Sequence, residues 1–189
     1  MAFVVVYDAC VLFPAPLRDL LIRVARTGVV RAHWSERILE ECFRAVLRER
    51  TDLSRENLAR TRVLMNHALP DANVSGHEQL IESLELPDLD DRHVLAAALK
   101  IGAQAIVTFN LGDFPASVLE PFGIEAKHPD DFILEALDIA PGAMAAAVGE
   151  QASTLRNPPK TVAELLDTLQ SQGLPLSVAR LRGAFGPTT

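Results

Sequence analysis

The stretch LPDLDDRH at residues 86–93 sets Asp88, Asp90 and Asp91 within four positions, directly ahead of the apolar run VLAAALKIGAQAIVTF. Like charges repel, so carboxylates this close destabilise a fold unless a cation, a helix N-terminus or water takes up the charge. Further acids stand apart in the chain: Asp8 directly after FVVVY, Glu40 and Glu41 within SERILEECF, and Asp113, with Asn110, just past AIVTF. Oxygen ligands without His or Cys suit Mg²⁺ or Mn²⁺ rather than Zn²⁺. Such a site would deprotonate a water and screen a phosphate. Taken singly, each acid has a simpler role. Asp88 or Asp90 can meet a helix dipole, Asp8 can form a turn, Glu40 and Glu41 can lie on a solvated helix face, and Asp113 can fold a loop.

Whether they act together depends on the elements that carry them. FVVVY (3–7) and VVRAHW (29–34) are short β-branched runs that read as buried strands. Between them LRDLLIRVART has helical spacing and ends at Gly28. Ser35 can cap a helix ERILEECFRAVLRER whose Ile38, Leu39, Cys42, Phe43 and Val46 share one apolar face. Glu40 and Glu41 both point away from that face, and periodicity does not choose between them. A further helix is expected over 55–68, a short strand at 72–75, a helix HVLAAALKI stopped by Gly102, and strands at Gln104–Phe109 and 123–126. Strands alternating with helices imply a parallel sheet covered on both faces. After about residue 138 the pattern is helical only, with PGAMAAAVGEQASTLR, a breaking NPP, TVAELLDTLQSQG and SVARLR. Val162, Leu165, Leu166 and Leu169 make an apolar face that must pack on something.

This topology brings the acids to one edge. A helix over 90–101 rises roughly 18 Å, and a strand over 104–109 covers about 20 Å, so the chain leaves and returns at nearly one level. Asp88 and Asp91 should then lie near Asn110 and Asp113, with Asp8 on the same carboxyl edge, where open α/β sheets bind their ligands.

Composition narrows the class. The chain has 189 residues, 49% of them hydrophobic and 23% charged, enough for one domain plus a modest extension. No run approaches the roughly 18 apolar residues that span a bilayer, and MAFVVVYDAC is too short and too soon acidic for a signal peptide, so the expectation is a cytoplasmic protein without a membrane segment. Cys10 and Cys42 stand in no metal-binding spacing and read as reduced core or strand residues, which excludes a disulfide scaffold. Charge is uneven: Lys and Arg number 11 against 8 Asp and Glu over residues 1–70, 3 against 14 over 71–140, and 4 against 3 thereafter. An acidic centre argues against broad coating of nucleic acid and for cations held by carboxylates, with arginines nearby.

VVYDACVLFP, SERILEE, DLDDRHVLAAA and AIVTFNLGDFP resemble the PIN domain, specifically the VapC-type toxins of bacterial toxin–antitoxin pairs, over about residues 3–137. LRNPPKTVAELLDTL resembles a C-terminal extension found in one subgroup. The resemblance implies a PIN-like three-layer α/β/α nuclease domain over 1–137, with a central parallel sheet of four to five strands, and a helical extension over 138–189. It implies Asp8, Glu41, Asp91 and Asp113 as catalytic, metal-binding acids for Mg²⁺ or Mn²⁺. Glu41 is preferred over Glu40 because the family's helical acid precedes the hydrophobic position held here by Cys42. Asp88 matches an accessory acid, and Thr108 and Asn110 match the polar pair after the last inner strand; many members carry aspartate where Asn110 stands. The implied activity is metal-dependent endoribonuclease cleavage leaving 5′-phosphate and 3′-hydroxyl ends. RNA, with tRNA among the candidates, is the substrate, an antitoxin protein the partner, and a homodimer an option.

Two other classes compete. An aspartate-nucleophile phosphatase needs a second aspartate where Cys10 stands, and a non-catalytic module would use the acids for a structural ion or a basic partner. Arg92 is a secondary candidate for phosphate contact, His93 reads as a packing or capping residue, and His33–Trp34 as a strand-end core anchor. Arg18, Arg23, Arg26 and Arg31 are expected mostly on a solvated face, with RNA guidance as the alternative.

Overall fold

The structure, a computed structural model, describes residues 3–186; residues 1–2 and 187–189, the outer ends of the two expected units, lie outside the described residues. Five parallel strands form the sheet: β1 (Phe3–Tyr7), β2 (Val30–Ser35), β3 (Asn73–Val74), β4 (Ala105–Val107) and β5 (Glu125–Lys127), in the order β3-β2-β1-β4-β5. Pairing is in register from Phe3 opposite Val30 to Val6 opposite His33, and from Val5 opposite Ala105 to Tyr7 opposite Val107. Val5, Val6 and Tyr7 are wholly buried, as expected of a central strand covered on both faces. Strand order reverses at β1, so the crevice beyond the carboxyl ends of β1 and β4 is the topological switch point.

Helices α1 (Ala9–Leu12), α2 (Ala15–Arg26), α3 (Glu36–Glu49), α4 (Arg55–Ala68), α5 (Glu78–Ile81), α6 (Arg92–Ile101) and α7 (Ala116–Leu119) fill the connections. The α3 face expected to be apolar is the one that is buried, and Ser35 Oγ accepts the Ile38 N–H at 3.2 Å as its N-cap. Gly28 follows α2 at φ 81° and Gly102 ends α6 at φ 63°, left-handed positions where a side chain is strained.

Three expectations shift. The helix expected from residue 90 begins as a 3₁₀ turn, Leu89–Asp91, and becomes α-helical only at Arg92. The strand expected over 104–109 is regular only at Ala105–Val107; Gln104 bonds to Val4 both through its own N–H, at 2.8 Å to the Val4 carbonyl, and through its side-chain Oε1, which accepts the Val4 N–H at 2.6 Å. The last strand lies two residues later than expected, because Gly123 closes a 3₁₀ turn, Glu120–Phe122.

The remaining helices are α8 (Pro129–Ile139), α9 (Pro141–Thr154), α10 (Val162–Ser171) and α11 (Pro175–Phe185). α8 was not assigned from the sequence, although its N-terminal Pro129, Asp130 and Asp131 are start signals and Phe132, Ile133, Ala136 and Leu137 form its buried face. The division expected at residue 137 falls in the last turn of α8. These helices pack on the sheet domain. Gln151 donates to the Pro16 carbonyl at 2.8 Å, and Arg23 pairs with Glu150 at 3.1 Å and donates to Thr154 at 2.9 Å. Among the described residues no helix is long and apolar enough to cross a membrane.

Asp130 joins the layers. Its carboxylate, 4% exposed, accepts the backbone N–H groups of Leu176 and Ser177 at 2.9 and 2.8 Å, capping α11 from α8. The same two helices share an exposed pair, Arg180 to Asp138 at 2.7 Å. Asp130→Ala strands the Leu176 and Ser177 backbone donors and the Ser177 hydroxyl at the start of α11 and should cost about 2–3 kcal/mol; Asp138→Ala should cost less than about 1 kcal/mol. Urea unfolding of both variants reads the difference, and equal losses would refute this account of the junction.

Candidate active site

β1 ends by donating the Asp8 N–H to the Val107 carbonyl at 3.1 Å, which places Asp8 in the crevice between β1 and β4. Its side chain, 5% exposed, is held on both oxygens. Oδ1 accepts the Ala9 N–H at 2.6 Å, and Oδ2 accepts the Thr108 hydroxyl at 2.8 Å and the Cys10 thiol at 3.1 Å. Thr108, fully buried, also accepts the Asn110 N–H at 3.0 Å, so one hydroxyl orients Asp8 and steers the chain leaving β4. Burial, followed by the charge of Asp8, pushes the Cys10 thiol up to about 12. Cys10 is therefore a neutral donor to Asp8, and the place where the phosphatase reading needs a general acid is filled by a group that cannot serve at neutral pH.

Asp91 sits at the junction of the 3₁₀ turn and α6, half-buried, with no capping hydrogen bond from its side chain. Its carboxyl is raised from the ordinary 3.8 to about 7, first by burial and then by the charges of Asp8, Asp88, Asp113 and Glu41. Asp88 of the same turn and three acids from three distant segments thus lie within electrostatic reach of Asp91. Asp88 is exposed and caps the Asp90 N–H at 2.9 Å, and Asp90 is exposed as expected. Asp113 ends the 3₁₀ turn Leu111–Asp113, tied by its N–H to the Asn110 carbonyl at 3.0 Å and followed by the buried anchor Phe114. Asn110 is exposed beside it.

Position along α3 separates the two glutamates. Glu41 faces the acids, whereas Glu40 is exposed and borders the groove between α3 and α4 with Phe43 and Arg62. Glu41 has a donor on each oxygen: Arg37 Nε at 3.1 Å and His93 Nε2 at 3.0 Å. Burial raises its carboxyl, but the hydrogen bonds and charges of His93 and Arg37 outweigh that, leaving it below the usual carboxylate range.

Neither partner was found from the sequence. Arg37 stands four residues before Glu41, an ion-pair spacing that could have shown it, but the only sign of His93 was its place beside Asp91. Arg92 turns back on its own segment, donating to the Leu89 carbonyl at 2.9 Å. The arginines expected on a solvated face divide. Arg18 is largely buried and donates to the Leu12 carbonyl at 2.7 Å, and Arg23 is tied to α9, because each meets carbonyls or carboxylates that α1 and α9 bring over it. Arg26 and Arg31 are exposed. Trp34 is fully buried, as the core reading required.

The appended helices reach the site's rim. Phe109, between Thr108 and Asn110, stacks edge-on against His128 with centroids 5.2 Å apart. Gly173, at φ 94° between α10 and α11, packs so closely that a Cβ there would lie 3.1 Å from the Phe109 ring.

The oxygen donors and surplus negative charge fit a hard divalent cation. Among the described residues, no three His, Cys, Asp or Glu side chains are gathered tightly enough to hold an ion by themselves. That suits an ion such as Mg²⁺, which keeps several waters and takes only one or two carboxylates directly.

Comparison with known proteins places this geometry in a family. A PIN-domain model matches residues 4–112, stopping one residue short of Asp113, and a VapC50 C-terminal domain model matches residues 129–183. A protein of Mycobacterium tuberculosis described as "Putative ribonuclease VapC50" is 40% identical over 119 residues, 63% of this chain and 69% of that protein. No solved structure matches the chain. With more than half its length under the PIN model and the VapC50-type domain behind it, the chain belongs to the PIN-domain family as a VapC-type protein with a C-terminal extension.

Proposed function

We propose that this protein is the toxin of a toxin–antitoxin pair: an endoribonuclease, dependent on Mg²⁺ or Mn²⁺, that leaves 5′-phosphate and 3′-hydroxyl ends. The observation that carries the reading is the convergence of Asp8, Glu41, Asp91 and Asp113 at the switch point of a parallel sheet, with the raised Asp91 carboxyl in keeping with it. The resemblance to a protein described as a ribonuclease supports RNA as the substrate.

In this reading Asp8, Glu41, Asp91 and Asp113 would surround the cation, one or two of them bound directly and the others through its waters, and Asp88 adds negative charge at the rim. A bound divalent cation supplies an activated water and offsets charge on the phosphate oxygens. Thr108 orients the Asp8 carboxylate toward the crevice by donating to Oδ2. Asn110 is exposed at the rim and offers an amide to a phosphate or water, and Arg92, with guanidinium donors left beyond its bond to Leu89, offers a weaker phosphate contact. An antitoxin segment reaching over the acidic edge would silence the enzyme in the cytoplasm.

Incubation of the purified, partner-free protein with tRNA and single-stranded RNA in Mg²⁺ or Mn²⁺ should give cleavage that EDTA abolishes. Asp91→Asn should lower the rate on the order of a hundredfold or more, and Asp90→Asn should leave it nearly intact. Metal uptake without cleavage of either RNA would favour a non-catalytic binding module.

The metal-free protein gives a second test through stability. Because the folded Asp91 carboxyl titrates near 7 rather than 3.8, the folded state holds that proton more tightly than the unfolded chain. The group's contribution therefore falls as pH rises through that window and is fully unfavourable above it. In EDTA, melting of the wild type should drop relative to Asp91→Asn between about pH 4 and about pH 7, and level off above. Mn²⁺ should raise wild-type melting more at the higher pH; parallel curves for the two proteins would refute the crowding.

A further inference from the structure

His93 is the second residue of α6 and is 1% exposed. Its Nε2 lies 3.0 Å from Glu41 Oε2, while its Nδ1 is buried with no partner among the described residues. Buried N–H groups are seldom left without an acceptor, and a bare ring nitrogen is the milder omission. The proton therefore sits on Nε2, and the imidazole donates to Glu41. Glu41 joins its acidic neighbours through a long, rotatable side chain whose other oxygen meets only an exposed arginine: side chains of Arg37 and Glu41 are 46% and 31% exposed, against 0% for His93.

We propose that His93 is a positioning residue of the metal centre, a rigid donor from α6 that fixes the Glu41 carboxylate of α3 so that it meets the cation already oriented. The inference rests on the metal-centre reading above. Holding Glu41 in advance removes rotamer freedom that ion binding would otherwise have to quench. Hydrogen-bonded partners of ligating side chains commonly govern metal affinity by about 10- to 100-fold. His93 touches neither ion nor RNA in this scheme and acts only through Glu41.

The test is calorimetric titration of Mn²⁺ alone into wild type, His93→Leu and His93→Gln, with melting curves to establish that each is folded. Leucine keeps an apolar group in the pocket and removes the donor; glutamine can return an N–H to about the place of Nε2. We expect Mn²⁺ affinity about tenfold or more weaker in His93→Leu, and largely restored in His93→Gln. Should the leucine protein fail to fold, His93→Asn, whose amide is too short to reach Glu41, replaces it with the same expected loss. A folded donor-free variant that binds Mn²⁺ as the wild type does overturns the positioning role and leaves the metal centre standing. A glutamine variant as weak as the donor-free one also overturns it. Wild-type protein that takes up no Mn²⁺ overturns the metal centre itself.

Discussion

Mutual repulsion of carboxylates at one edge of a parallel sheet is the constraint on which the rest of this molecule turns. Asp8, Glu41 and Asp113 come from segments far from the Asp88–Asp91 turn, and burial, then the charges of Asp8, Asp88, Asp113 and Glu41, lifts Asp91 to about 7. Such an arrangement persists only because surrounding structure over-determines it. Asp8 is the best held of the five, with donors on both oxygens and its backbone locked to β4. The strain of like charges is thereby concentrated on Asp91, the acid with the least support.

The scaffold that resists this repulsion is apolar and continuous. Val5, Val6, Tyr7, Ile106 and Val107 make a fully buried sheet centre, and Val94, Leu95 and the alanines of α6 are buried with it. Two further layers of support come from beyond the sheet. α9 clamps α2 through Gln151 and Glu150, and the Asp130 cap joins α11 to α8, whose Phe132 meets Tyr7 edge-on at 5.9 Å. Through Gly173 and His128 the same helices press on Phe109, whose neighbours Thr108 and Asn110 belong to the candidate site. The extension thus sets the position of the rim as well as covering the core.

The buried polar groups nearest the acids donate to carboxylates. Thr108 and Cys10 donate to Asp8, and His93 donates to Glu41. The charged partner, Arg37, is on the exposed side. These donors orient the carboxylates, and the cluster keeps its surplus of negative charge.

The sequence by itself determined the alternation of strands and helices, the apolar face of α3, the Ser35 cap, the Gly28 and Gly102 stops, and the edge to which Asp8, Asp91 and Asp113 must come. Each is encoded locally, by periodicity, by a cap or by position at a strand end. Helical periodicity left Glu40 and Glu41 equal, and it is the tertiary structure that turns Glu41 toward the other acids. Neighbouring helical residues point about 100° apart, and both directions avoid the apolar face, so only the placement of α4 and α6 separates them. It likewise decided that Arg18 is internal and that His93 answers Glu41, a pairing across 52 positions. Local pattern reveals which face of an element shuns water, whereas a hydrogen bond between distant side chains exists only once packing has brought their elements together.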